Sequence, residues 1–168
     1  MNLKLFNKIN FANFLIIAFI FAIDRATKLY VILLFEKNLN EEIFLSKYLN
    51  LFLTWNQGIA FGMLSFNEEN LYKYITILIL IIILIIYFLL IKSDGFKRYS
   101  LLMILGGALG NFFDRVYYKA VPDFIDFHIE NFHWFTFNVA DIFISLGVFF
   151  MIFLEFTDNS TNKKNEFF

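Results

Sequence analysis

Apolar residues along the chain gather into four long runs, separated by stretches where polar residues return. The cleanest run is Tyr74–Ile91, eighteen residues with nothing more polar than Thr76. A helix needs roughly 20 mostly apolar residues to cross a hydrocarbon core of about 30 Å, so this run reads as a transmembrane helix. Phe137–Leu154 reads likewise, with Asn138, Asp141 and Ser145 near its start. Ser100–Val116 carries Asn111 and Asp114 near its end, and Phe11–Phe35 encloses Asp24, Arg25 and Lys28. Between the first two runs the period changes. Leu49, Leu51, Leu53 and Trp55 alternate with a mostly polar face, as in a strand with one buried side. Asn56-Gln57-Gly58 offers a turn, and Ile59–Leu64 a second short strand. In the segment between the last two runs, the aromatic stretch Phe127–Phe135 suits a headgroup boundary.

Cytoplasmic flanks of membrane helices collect Lys and Arg. Lys4 and Lys8 precede the first run, Lys92, Lys97 and Arg98 follow the second, and Lys163 and Lys164 follow the fourth. These are half of the fourteen basic residues. Both termini are therefore expected in the cytoplasm, with segments of about 36–73 and 117–136 on the outer side. The first run also fits the n- and h-regions of a signal peptide. No small-x-small site precedes Asp24, however, and the apolar pattern resumes at Leu29–Phe35, which favours an uncleaved span.

Composition agrees with a membrane location and narrows the chemistry. Of 168 residues, 60% are hydrophobic and 17% charged, against about a quarter charged in a soluble domain. With 26 Phe, the apolar content exceeds what one small core could bury. A soluble enzyme and a disordered chain are excluded. The net charge of −1 gives no basic surface for nucleic acid. The absence of cysteine removes thiolate catalysis, iron–sulfur clusters and thiolate zinc sites. His128 and His133 stand five apart, unlike the i, i+4 pair of a helical zinc site, and no metal or cofactor is expected.

Ionisable groups are expensive inside a bilayer and usually serve a purpose there. With the inferred orientation, Asp24 and Lys28, Asn111 and Asp114, and Asn138 and Asp141 all fall in the outer half of the membrane. Each has a structural explanation as well. Asp24 and Lys28, four apart on a helix, can neutralise each other. Asp114 and Arg115 can form an ion pair at a helix end. Asn138 can cap the last helix, with Asp141 in its first turn. Gly106 and Gly110 have the spacing of close helix packing. Ser145 has no Lys or His at helical spacing to act as its base. Carboxylates are plentiful near the outer surface, at Asp114, Asp123, Asp126 and Asp141. Two carboxylates sharing a site hold one proton between them and can both activate water and protonate a leaving amine. Spacing alone leaves open which two pair; depth in the membrane favours Asp114 with Asp141.

Asp24–Lys28, Asn56–Phe61, Gly106–Arg115, Val121–Ile125 and Phe137–Asp141 stand in this order along the chain, and together these five elements resemble the lipoprotein signal peptidases, also called signal peptidase II. Asp24-Arg25-Ala26-Thr27-Lys28 is similar to Asp-x-x-(Ser/Thr)-Lys of that family. Asn56-Gln57-Gly58-Ile59-Ala60-Phe61 is similar to Asn-x-Gly-x-Ala-Phe. Gly106–Arg115 resembles Gly-Gly-x-x-Gly-Asn-x-x-Asp-Arg, Val121–Ile125 resembles Val-x-Asp-Phe-(Ile/Leu), and Phe137–Asp141 resembles Phe-Asn-x-Ala-Asp. Pro122 before Asp123 is a local departure, holding Val121 extended.

The resemblance implies an all-α integral membrane protein with four transmembrane helices, a small extracytoplasmic β-sheet and a short extracytoplasmic helix. It implies a bacterial inner-membrane aspartic endopeptidase whose catalytic pair is Asp123 and Asp141, in place of Asp114 with Asp141. Asp24, Lys28, Asn56, Gly58, Ala60, Gly107, Asn111, Asp114, Arg115, Asn138 and Ala140 would line or brace the site. Its partners would be prolipoproteins cut on the amino side of a diacylglyceryl-modified cysteine, together with membrane lipids, and the enzyme would act as a monomer. Arg115 would hold Asp114 or a lipid headgroup. Two other readings compete: a proton-coupled transporter, which needs polar residues through the full depth, and a structural assembly factor whose carboxylates only pair with basic residues.

Overall fold

The computed structural model of the chain describes residues 3–37, 42–58, 68–130 and 132–165. Four long helices carry most of it: α1 (Leu3–Lys37), α2 (Glu68–Ile91), α3 (Gly95–Tyr118) and α4 (Val139–Asn165). The first three contain the apolar runs Phe11–Phe35, Tyr74–Ile91 and Ser100–Val116 whole, while α4 begins two residues into the fourth run, whose Phe137 ends β4. Over Asn70–Ile91 in α2 and Val139–Thr157 in α4, the helices are long and apolar enough to cross a membrane. α3 lies at the centre, in contact with the other three. Leu101, Leu102 and Leu105 of α3 bury against Ile83 and Leu90 of α2, with Ile16 and Ile17 of α1 closing the cluster.

Small residues set the closest approaches. A Cβ on Gly107 would lie 2.5 Å from the Ala140 carbonyl oxygen of α4, and one on Gly110 would lie 2.5 Å from Asp24 Oδ2 of α1. The Gly106–Gly110 segment is thus a packing surface, as its spacing suggests, and it admits a carboxylate as well as a backbone.

Both segments between helices fold into one antiparallel sheet, in the order β1 (Ile43–Ser46), β2 (Leu49–Asn56), β3 (Val121–Ile129) and β4 (Phe132–Phe137). β2 is the strand that alternation predicts. Its neighbours are β1 and β3; the second strand expected at Ile59–Leu64 lies outside the described residues. The aromatic stretch of the later segment forms the β3–β4 hairpin, and no short helix occurs among the described residues of either segment. Aromatic and β-branched residues suit a pleated, half-buried surface, so the same rings that suggest a headgroup boundary also favour strands. Phe124 of β3 buries against Val31 and Phe35 of α1, which seats the sheet on the first helix.

Candidate active site

Where the sheet meets the helices, two polar clusters stand side by side. The first neutralises charge. Lys28 is fully buried, and its ammonium donates to Asp24 (3.0 Å), to Asn111 Oδ1 (2.8 Å) and to Asp114 Oδ2 (2.7 Å). Those three acceptors match its three protons. Arg25 Nη2 donates to Asp24 (3.1 Å) and to Asp114 Oδ2 (2.7 Å), and Arg25 Nη1 pairs with the other oxygen of Asp114. Two acids and two bases thus compensate one another, which is the condition for keeping charge out of water. Asp24 has a further task. Its Oδ1 accepts the backbone N–H of Ala140 (3.0 Å), so a side chain of α1 satisfies an otherwise unpaired donor in the first turn of α4.

The second cluster holds Asp123 and Asp141. Asp123 is delivered by β3, and its two oxygens accept from different asparagines: Oδ2 from Asn56 Nδ2 (2.8 Å) and Oδ1 from Asn138 Nδ2 (2.6 Å). Asn56 is oriented for this by its own Oδ1, which accepts the backbone N–H of Gly58 at 2.7 Å. Gly58 has φ +80°, a left-handed conformation suited to glycine. Asn138 precedes α4 and forms a reciprocal cap with Asp141. The Asp141 N–H donates to Asn138 Oδ1, and the Asn138 N–H donates to Asp141 Oδ2, each at 3.1 Å. Asp141 Oδ1 accepts from Asn111 Nδ2 at 2.7 Å. A continuous path therefore runs from Asp123 through Asn138, Asp141 and Asn111 to Lys28.

Asp123 and Asp141 line one cavity of about 590 Å³, with Asn56, Phe135, Thr136, Phe137, Ile142, Ser145 and Leu146. Asp123 is buried, and desolvation lifts its pKa from 3.8 to about 6; the Asn56 and Asn138 hydrogen bonds pull against this, and the negative charge of Asp141 adds to it. Among the described residues lining the cavity with Ser145 there is no Lys or His.

Asp24, Lys28, Asn111, Asp114, Asn138 and Ala140 all join these two clusters, and Gly107 supports them from behind. Asp114, the depth-based partner for Asp141, is instead held by Lys28 and Arg25, while Asp123 shares the cavity with Asp141. Arg115 does not pair with Asp114. Its Nη1 donates to the Gln57 carbonyl (3.2 Å), its guanidinium lies against the Tyr72 ring, and a Cβ on Gly58 would meet it at 3.0 Å. It thus braces the turn after β2. The neighbour of Asp114 faces away because adjacent helical positions point about 100° apart. Ala60 lies outside the described residues. The structural reading of Asp24 with Lys28 and the capping role of Asn138 both hold. Spacing does not single out Arg25; its place beside Asp24 within one charged helix stretch is the available signal.

The chain matches the family model described as signal peptidase (SPase) II over residues 16–157. It is similar to the lipoprotein signal peptidase of Pelagibacter ubique (strain HTCC1062), with 52% identity over 165 residues covering 95% of this chain and 99% of that one. It is also similar to the lipoprotein signal peptidase of Anaplasma phagocytophilum (strain HZ), with 37% identity covering 84% and 89%. Among solved structures it resembles a bacterial membrane enzyme determined by the in meso method at 2.3 Å resolution, at a TM-score of 0.68 and 31% identity, covering 89% of this chain and 90% of that one. In sequence and in fold, the chain belongs to the signal peptidase II family of lipoprotein signal peptidases.

Proposed function

We propose that this peptidase removes signal peptides from prolipoproteins by cutting on the amino side of a diacylglyceryl-modified cysteine, with Asp123 and Asp141 as an aspartic pair. The observation that carries the reading is that these two carboxylates line one cavity while every other buried acid of the site is neutralised by Lys28 and Arg25.

In this reading Asp123, with its pKa lifted to about 6, holds the shared proton and Asp141 is the base. Asp141 takes a proton from water as the water oxygen bonds to the scissile carbonyl carbon. Asp123 gives its proton to the carbonyl oxygen. When the C–N bond breaks, a proton passes to the leaving amine, and the carboxyl product re-forms with one proton left on the pair. Asn56, Asn111 and Asn138 hold both carboxylates in place, so orientation is set before substrate arrives.

The cavity extends from the aspartates onto Ile142 and Leu146 of α4. An acyl chain of the modified cysteine can lie along that apolar wall while its peptide reaches the carboxylates. All four helices span the inner membrane in this reading. The termini and the α2–α3 turn, with Lys92, Lys97 and Arg98, face the cytoplasm, the sheet faces outward, and a single chain carries the whole site.

Cleavage of a diacylglyceryl-modified peptide beside the same peptide without lipid tests the proposal. The lipidated peptide is expected to be cut at the bond before cysteine and the unlipidated one at least 100-fold more slowly. Equal rates would contradict the assignment of the acyl wall.

A further inference from the structure

Beyond the aspartate pair, the β3–β4 hairpin gathers three side chains of metal-ligating type. Asp126 and His128 are two apart on β3, hence on one face, and His128 stands directly opposite His133 on β4. An irregularity in the pairing next to His128 also sets Thr136 opposite Asp126. One ligand atom from each of Asp126, His128 and His133 lies within 4.8 Å of the others. Asp126 Oδ2 is 2.7 Å from His133 Nδ1 and 3.5 Å from His128 Nδ1. Five residues is a poor spacing for a helix, but across a hairpin it brings the two imidazoles face to face, with centroids 5.4 Å apart.

His128 supplies the independent observation. It is only 6% exposed, and its Nδ1 is buried with no hydrogen-bond partner. A buried polar atom left unpaired costs about 1–3 kcal/mol, so its retention beside a buried carboxylate calls for a ligand. His133 is half-exposed and leaves a way in from solvent. On the open side is a cavity of about 440 Å³, lined by Glu42, Thr54, Asp126, His133 and Thr136 among others, with room for water to complete a coordination shell.

We propose that Asp126, His128 and His133 bind a divalent transition-metal ion of the zinc class. Two imidazole nitrogens and a carboxylate suit zinc, whereas calcium and magnesium prefer oxygen. Metal–ligand bonds of roughly 2.0–2.2 Å in a tetrahedral array put ligand atoms about 3.3 Å apart. The 3.5 Å edge already fits, and a small rotation of His133 opens the 2.7 Å edge. The ion would fasten β4 to β3. β3 carries Asp123 and β4 leads into Asn138, and Phe135 and Thr136 border this cavity as well as the aspartate one. The metal would therefore hold the frame of the site while taking no part in its chemistry.

Zinc titration of the purified, chelator-dialysed full chain against a chromophoric chelator tests this. One equivalent of zinc is expected to bind, and His133→Ala and Asp126→Asn are each expected to weaken binding at least tenfold. Zinc should raise the melting temperature of the parent and leave that of His133→Ala unmoved. Because His133 is half-exposed, its variant retains the fold, which circular dichroism verifies. Zinc affinity equal to that of the parent in His133→Ala, or no binding in competition with the chelator, would overturn the proposal.

Discussion

Asn138 is the residue on which the two aspartates depend together. Its Oδ1 caps α4 by accepting the Asp141 N–H, and its Nδ2 donates to Asp123. The two atoms can be separated by substitution. Asn138→Asp keeps an acceptor for the cap but replaces the donor with a third carboxylate against Asp123. Its cleavage rate should fall about 100-fold. Asn138→Ala loses both, with a cap cost of about 1 kcal/mol, so it should melt lower and be equally slow. Equal activity of Asn138→Asp and the parent would show that the Asn138 donor does not position Asp123. The raised pKa of Asp123 has a consequence for stability too. The folded state keeps this proton up to about pH 6, while the unfolded chain releases it near 3.8. The stabilisation is therefore complete below pH 3.8 and is lost as pH rises through 6. Asp123→Asn removes that dependence. Measured by thermal unfolding, the variant should gain on the parent between pH 4 and pH 7; a constant difference would contradict the shift.

Among the elements, α3 gives the site its depth. Its glycines let α1 and α4 come so near that Asp24 reaches across to the Ala140 N–H. Gly107→Ala would drive a methyl into the Ala140 carbonyl, at a cost of about 1–3 kcal/mol. The expected readout is a lower melting temperature with a reduced cleavage rate, since the displaced turn carries Asp141. An unchanged melting temperature would show that α3 and α4 can separate freely. The apolar runs made the four helices legible because burial in lipid or core demands continuous hydrophobicity over many turns. The alternation of Leu49, Leu51, Leu53 and Trp55 likewise marked β2. The rest of the sheet was hidden. β3 carries buried residues at nearly every position, so it has no period-two signature, and the aromatic stretch of β4 reads equally well as an interfacial segment. The side chains that sequence alone misplaced, Asp114 and Arg115, were misplaced for the same reason: their partners Lys28, Arg25, Gln57 and Tyr72 are remote in the chain.

For the whole molecule, charge and shape are divided end from end. The ion cluster, the aspartates and the sheet share one end of the bundle, and the basic α2–α3 turn lies at the other. A proton-carrying transporter needs polar groups along the full depth; below Asp24 and Gly110, contacts such as Ile20 with Gly106 and Ile104 with Gly147 are apolar. The motifs that resemble the family were legible because each concentrates chemistry in a few adjacent residues. What they could not convey was the division of labour among five acids, four of them buried and Asp141 half-buried: Asp24 and Asp114 in the ion cluster, Asp123 and Asp141 in the cavity, Asp126 among the histidines. On that division the proposed function rests. Its most direct test is single-turnover cleavage of a diacylglyceryl-modified peptide by purified Asp123→Asn, Asp141→Asn and parent proteins whose melting curves show a retained fold. Both variants are predicted to lose at least about 1,000-fold in rate, in keeping with the loss of a positioned general acid or base. Cleavage by either variant at the parent rate would contradict the account.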